Sequence, residues 1–233
     1  MSIQSVFHGN DKLIYFRSLY YMCDSSKSPI KNIILKYKSK YLTFFPPNKN
    51  INTSKLQLTT IGEYSITHYE VSTEINNIIR DHMGDTTKLT ITDATAGMGG
   101  NTIKFAEEFK HVNAVEYLSL HCQVLKNNID VYNLKNVKIY CDDYTKIMRK
   151  IKQDVVFIDA PWGNRSYKKI DKLRLCLGKK SIEEITNKVN AKLVVLKVPH
   201  NFDFEECKKR VTDKIQIYNF KRFDLIVVQK KSK

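Results

Sequence analysis

The sequence predicts an α/β chain: a doubly wound, mostly parallel sheet with an antiparallel hairpin at one edge, behind a basic, aromatic-rich N-terminal extension. Three observations predict it. From about residue 70, short apolar β-rich runs alternate with stretches of helical periodicity, and right-handed crossovers turn that alternation into a parallel sheet. The last two apolar runs, Ile215–Tyr218 and Leu225–Val228, are joined by a link too short for a helix, so they pair antiparallel at the edge. The first sixty residues hold only Asp11 and Asp24 as acids, against basic residues from Lys12 and Arg17 to Lys49 and Lys55.

Each element has its own signal. Val71 to Met83 places Val71, Ile75, Ile78 and Ile79 on one helical face. Leu89 to Asp93 is a β-rich run, and a glycine cluster separates it from a helical stretch around Ile103–Ala106. Val112 to Glu116 reads as strand, Ser119 to Tyr132 as helix and Val137 to Tyr140 as strand. Asp154 to Asp159 and Leu193 to Val198 are apolar enough for strands buried on both faces. Ser181–Val189 and Phe202–Val211 complete the helices. The division expected is an extension over residues 1–60 and one domain over 61–233. Aromatics of the extension, from Phe7 and Tyr15 to Tyr41, Phe44 and Phe45, suit either base stacking between lysines or packing onto the domain.

Composition narrows the function. The 39 Lys and Arg exceed the 24 Asp and Glu by enough for a net charge of +15, a field that attracts polyanions such as nucleic acid. No apolar run is long enough for a membrane span, and the N-terminus lacks the order of a secretory signal. Cys23, Cys122, Cys141, Cys176 and Cys207 are scattered, never C-x-x-C, so free thiols in a reducing compartment are expected, without a disulfide or a metal. Intracellular residence follows, cytoplasmic or nuclear, or host cytoplasm for a viral source. The lone His68, His82 and His121 read as surface residues rather than catalysts.

Ligands of such sheets bind beyond the carboxyl ends of the strands, and three strand ends carry chemistry. The first runs Asp93-Ala94-Thr95-Ala96-Gly97-Met98-Gly99-Gly100-Asn101-Thr102, a turn that lets backbone approach a ligand closely. It is neither the dinucleotide fingerprint nor a phosphate-cradling GK[ST] loop. The second ends in Glu116, placed to accept both hydroxyls of a ribose. The third, Asp159-Ala160-Pro161-Trp162-Gly163, combines a carboxylate, a backbone carbonyl and the chain's one tryptophan. That set suits an exocyclic amine on a flat base: the two oxygens accept the amine protons and the indole stacks on the ring. Lys168, Lys169, Lys172, Arg174, Lys179 and Lys180 follow closely and suit phosphates, while Lys197 and Pro199-His200-Asn201 end a strand on the same rim.

The segments DATAGMGGNTIKFA, AVEYLSLHCQVLKNNIDVYNLKNVKIYCDDY and VVFIDAPWGNRSY, with Tyr64-Ser65-Ile66-Thr67 upstream, resemble the RNA cap guanine-N2 methyltransferases, the trimethylguanosine synthase family. The resemblance covers roughly residues 61–228. It implies the Rossmann-like class I fold, S-adenosylmethionine (SAM) as cofactor, and capped RNA or a cap nucleotide as partner. The family's D-x-F-C-G-x-G-G-N-T becomes D-A-T-A-G-M-G-G-N-T here, and its S-P-P-W-G-G becomes D-A-P-W-G-N, so an acid faces the amine.

The resemblance implies a cofactor pocket of Thr67, Asp93, Ala94, Gly97, Gly99, Asn101 and Thr102, with Glu116, Asp142, Asp143 and Asp159; Asp143 matches the acid beside the adenine. It implies substrate contacts from Ser65, Trp162, Asn164, Arg165, Tyr167, Lys197 and Asn201, with Trp162 stacked on 7-methylguanine. Asp159, Pro161 and Trp162 are the catalytic candidates, and no metal is expected. Two alternatives stay open. One is another nucleic-acid amino-methyltransferase, acting on adenine N6 or rRNA guanine N2; the other is a catalytically lapsed subunit of this fold that binds RNA.

Overall fold

Seven strands form one sheet because their apolar runs can be buried only against one another and under helices. The computed structural model describes residues 31–35, 38–163 and 165–231, and at 165 and 166 the backbone alone. Most of the basic extension, residues 1–30 with Lys36 and Tyr37, lies outside the described residues, as does Asn164. The strands are β1 (Thr90–Asp93), β2 (His111–Val115), β3 (Val137–Tyr140), β4 (Val155–Ile158), β5 (Leu193–Val198), β6 (Lys214–Asn219) and β7 (Asp224–Gln229).

Their order is β6-β7-β5-β4-β1-β2-β3. The first five are parallel, and β7 lies antiparallel between β5 and β6, as the short final link requires. Every residue of β4 and β5 is buried, whereas β6, at the edge, alternates exposed with half-buried positions. Strand order reverses between β1 and β4, which opens the ligand crevice of such sheets at their carboxyl ends.

The pleat divides the core in two. Val155 and Phe157 of β4 join Ile91, Val112 and Val195 beneath Ile75 and Ile79 of α1 (Tyr69–Met83) and Phe105 of α2 (Gly100–Ala106). Val156 and Ile158 point the other way. They meet Val194 and Leu196 under Ile182 and Ile185 of α4 (Ile182–Lys188) and Cys207 of α5 (Phe204–Arg210), α3 being Ser119–Val131. Each such side chain contributes roughly 1.5–3 kcal/mol on burial.

A third cluster settles one open reading for three of the extension's aromatics, the others, from Phe7 to Tyr21 and Tyr37, lying outside the described residues. Tyr41, Phe44 and Phe45, with Leu56 and Leu58, are buried against Val124, Leu125 and Ile129 of α3. Tyr132 Oη donates to the Pro46 carbonyl at 2.6 Å, and the Asn128 amide bridges Gln57 and Met98. These aromatics are core residues, so bases do not stack on them.

Three features depart from the sequence reading. Cys122 and Cys141, expected as free thiols, form a disulfide with Cα atoms 5.8 Å apart. Their spacing matches no short motif; they meet because the start of α3 and the end of β3 both lie at the carboxyl rim. Cys176 and Cys207 are free and buried, and Cys23 lies outside the described residues. A helical turn, Tyr144–Ile147, and a small hairpin, Cys176–Leu177 with Lys180–Ser181, are too short for periodicity to reveal.

Segment 62–68 lies close against the start of α2. A Cβ added at Gly100 would stand 2.7 Å from Ile66 Cγ1 and 2.9 Å from the Thr67 carbonyl oxygen, which only hydrogen allows. Gly100→Ala is expected to lower stability by about 1–3 kcal/mol, read as a shift in urea midpoint at constant slope. An unmoved midpoint would mean that this segment yields freely.

Candidate active site

The turn after β1 is built by backbone conformation. Gly97 (φ 56°) and Gly99 (φ 98°) occupy the left-handed region that side chains rarely adopt, and Gly99 opens α2. Asp93 stands at the end of β1, almost wholly buried. Its Oδ2 accepts from the Thr102 hydroxyl at 2.7 Å, while Oδ1 is buried without a hydrogen-bond partner among the described residues. Burial pushes this carboxyl up to about 7, against the downward pull of the Thr102 hydroxyl.

Glu116, one residue beyond β2, faces the same turn. Its Oε2 accepts from the Gly97 N–H at 2.8 Å and its Oε1 from the Leu118 N–H at 2.8 Å. Burial raises it too to about 7, against those N–H groups. His121, expected at the surface, is instead buried behind it, its Nδ1 3.9 Å from Oε1; burial depresses this imidazole to about 4, so it stays neutral beside Thr59 and Asn32.

The end of β4 is tied to that turn and to β5. The Asp159 N–H donates to Thr95 Oγ1 at 2.9 Å. Lys197 of β5 donates to Asp159 Oδ2 at 2.7 Å and to Thr67 Oγ1 at 3.0 Å. Thr67 Oγ1 also accepts from the Asn101 amide at 3.2 Å, and Asn101 Oδ1 from the Ser72 hydroxyl at 2.8 Å. Burial raises the Asp159 carboxyl, and the Lys197 ammonium pulls it back. The same ammonium lies 5.6 Å from the Trp162 ring and 5.1 Å from the Phe223 ring. Trp162 is half-buried with its edge to Tyr167, and its Nε1 has no partner among the described residues.

Thr67, Asn101, Asp159, Lys197 and Trp162 are thus one connected group, and Asp93, Thr102, Gly97 and Glu116 form a second across the Thr95 turn. Other candidates do different work. Ala94 donates its N–H to the Phe157 carbonyl within the sheet. Asp143 caps the Tyr144–Ile147 turn through Thr145, and Asp142 accepts from the Asp143 N–H. Asn201 donates to the Tyr167 and Ile170 carbonyls, so it holds the loop after β4. Ser65 is exposed and Pro161 half-buried. Of Arg165 only the backbone is described.

One basic candidate is corrected. Arg174 is turned inward between Glu183 and Glu206, its side chain 10% exposed, which withdraws it from phosphates. Lys180 donates to the Thr145 carbonyl, whereas Lys168, Lys169, Lys172 and Lys179 are exposed. Thr95, Ser72 and Phe223 were not singled out in the sequence. Thr95 lay inside a recognised motif; Ser72 and Phe223 had no local signal.

A glycine turn, a buried carboxylate with a vacant acceptor and a second carboxylate facing the turn form a set of acceptors suited to a nucleoside that carries an ammonium. The sequence pattern of the RNA cap guanine-N2 methyltransferases matches residues 88–231. The chain belongs to this family. An uncharacterized protein of Acanthamoeba polyphaga mimivirus is 33% identical over 218 residues, 80% of this chain and 84% of that protein. The trimethylguanosine synthase of Saccharomyces cerevisiae is 28% identical over 158 residues; the match covers 65% of this chain and 48% of that protein, about half its length. Among solved structures, the T. thermophilus 16S rRNA N2 methyltransferase with AdoMet and guanosine superposes at a TM-score of 0.57, with 13% identity, covering 69% of this chain and 43% of that one. The architecture is the Rossmann-like class I methyltransferase fold.

The residues of this family member fit SAM. Asp93 Oδ1 is a buried acceptor suited to an ammonium, Glu116 keeps lone pairs for ribose hydroxyls, and the Gly97–Gly99 backbone admits close approach. No helix among the described residues is long and apolar enough to cross a membrane.

Glu116 makes stability pH-dependent with a definite sign. A carboxyl raised in the folded state binds its proton more tightly there, so its contribution is present at low pH and lost as pH rises towards about 7. Glu116→Gln removes that loss. Relative to wild type the variant is expected to gain thermal stability between pH 5 and pH 8, measured by unfolding at both; an unchanged difference would refute the raised carboxyl.

Proposed function

We propose that the chain transfers a methyl group from SAM to the exocyclic N2 amine of guanine in a 7-methylguanosine RNA cap. The observation that carries this reading is the turn Asp159-Ala160-Pro161-Trp162 at the end of β4, tied through Asp159 and Thr95 to the glycine turn. Family membership and the relative named trimethylguanosine synthase support it. Asp142, Asp143 and Ser65 enter this reading as rim residues, with Asn164 and Arg165 in the loop beside the base.

SAM when bound supplies an electrophilic methyl on its sulfonium. The chain's own residues do the rest. Asp93 and Glu116 hold the nucleoside so that its reactive end faces the end of β4. Asp159, through the oxygen not bonded to Lys197, and the Ala160 carbonyl accept the two amine protons and orient the nitrogen lone pair. Trp162 stacks on the purine, and a cationic 7-methylguanine gains about 0.5–2 kcal/mol from that face. Alignment of the two reactants can supply roughly 7–11 kcal/mol of the barrier. Alkylation makes the amine nitrogen acidic, so its proton leaves to Asp159 or water without a strong base.

Incubation with labelled SAM and a panel of m7GTP, capped RNA, ATP and DNA tests the reading. Label is expected on m7GTP and capped RNA; label on ATP or DNA instead would overturn it. Trp162→Ala is expected to weaken m7GTP binding at least about tenfold. Asp159→Ala is expected to lower kcat by about two orders of magnitude, and wild-type kcat in that variant would remove Asp159 from the chemistry.

A further inference from the structure

The link between β6 and β7 reads Phe220-Lys221-Arg222-Phe223, two aromatics around two cations, and the chemistry at the end of β4 uses neither cation. The link is held firmly. The Phe220 N–H donates to the Phe223 carbonyl at 2.9 Å, and the Asn219 amide to Asp224 at 2.7 Å. The two rings stack with centroids 4.5 Å apart and planes 14° from parallel. Phe223 is buried, Phe220 is half-buried, and Lys221 and Arg222 are exposed.

Beside this link lies an open hollow of about 430 Å³, within the size range of small-ligand sites. Tyr218, Phe220 and Lys221 line it from the hairpin, and Glu74 and Ile78 from α1. Tyr218 Oη and His82 Nε2 are 2.8 Å apart, a bond that fixes the phenol ring. The hollow is continuous with the rim already described, because Phe223, under Phe220, lies 5.1 Å from the Lys197 ammonium. Along α1, Glu74 and Ile78 stand about 8 and 14 Å from Tyr69, the residue two after Thr67. A triphosphate bridge followed by one nucleotide covers such a distance.

We propose that the hollow between α1 and the β6–β7 link takes an unpaired nucleobase of the substrate RNA, beyond the purine that is methylated. The inference rests on the reading of the chain as an RNA methyltransferase. Aromatic rings, a hydrogen-bonding edge and cations for the backbone are the combination that holds single-stranded RNA. Phe220 and Tyr218 supply the rings. Every base edge offers an N–H, which the Glu74 carboxylate accepts, while Lys221 and Arg222 face the phosphates. The net charge of +15 favours a polyanion over a protein as the occupant.

The experiment has two arms. In the first, wild type is irradiated with a short RNA, capped or uncapped, that carries 4-thiouridine at each of its first positions in turn. Crosslinks mapped by mass spectrometry are expected on residues 218–221 or 74–78. In the second, KM is measured for capped RNA and for m7GTP, which cannot reach the hollow. Phe220→Ala is expected to raise KM for capped RNA by roughly fivefold to a hundredfold and to leave that for m7GTP unchanged. Phe220→Tyr keeps the ring and should restore the wild-type value. An equal rise for both substrates would make Phe220 a mere support for Phe223 and overturn the inference. Crosslinks absent or confined to residues 168–180 overturn it too, whether or not the variant folds, and leave the hollow to a protein partner. Methylation of neither substrate by wild type, with uncapped RNA still crosslinked at the hollow, removes the cap reading while this inference stands.

Discussion

The Lys197 ammonium is the constraint on which the rim depends. It sits on β5, between Asp159 at the end of β4 and Thr67 in the segment before α1, and it touches the indole and Phe223 besides. Taking two charges out of water costs several kcal/mol each, and their attraction repays this only with good geometry and further hydrogen bonds. Thr67 supplies one such bond, and Thr95 fixes the backbone of the acid. Breaking a buried pair by removing one partner costs about 3–5 kcal/mol, so β4, β5 and the upstream segment hold their relative positions together. Gly100 belongs to the same device, since only a residue without Cβ lets Thr67 come this close to α2.

Much of the fold was legible because burial leaves a period in the sequence. β4 and β5 are covered on both faces and read as unbroken apolar runs, and the short link after β6 excludes a crossover. The strand ends were legible for a related reason: Asp93, Glu116 and Asp159 are polar residues placed where apolar runs stop. Pairings across the chain left no such trace. Lys197 stands 38 residues from Asp159 and 130 from Thr67, and nothing local says that their side chains meet. Composition misled where it could not tell direction. Arg174 lies in a lysine-rich stretch yet turns inward to two glutamates, and Tyr41, Phe44 and Phe45 are aromatics between lysines that fill a core.

The crevice gathers more acid than the surface charge would suggest, and it does so by keeping two carboxyls costly to ionise. Asp93 and Glu116 are both buried and both pushed to about 7, by burial first, with the Asp159 charge raising Asp93 and the Asp93 charge raising Glu116. A cationic, hydroxyl-bearing ligand relieves this directly. Its ammonium neutralises a carboxylate and its hydroxyls donate to the other, so the site is poorer without a ligand than with one. The chain as a whole carries a net charge of +15, a field that attracts polyanions, and Lys168, Lys169, Lys172 and Lys179 are exposed in the segment that follows β4.

A carboxylate tied to an ammonium is a weak base, and at first sight this argues against Asp159 as a partner for a reacting amine. The chemistry does not ask for a strong one. An aromatic amine is neutral before methyl transfer and becomes acidic only as the new bond forms, so what lowers the barrier is alignment of its lone pair. For that task a fixed oxygen serves better than a basic one. Lys197 anchors one carboxylate oxygen, and on the proposed reading the other directs the amine, with the proline after Ala160 limiting the turn in which both acceptors sit. The ammonium that weakens Asp159 as a base is therefore what makes it a rigid acceptor, and the buried Phe223 ring, 5.1 Å from that ammonium, adds apolar surface beside the pair.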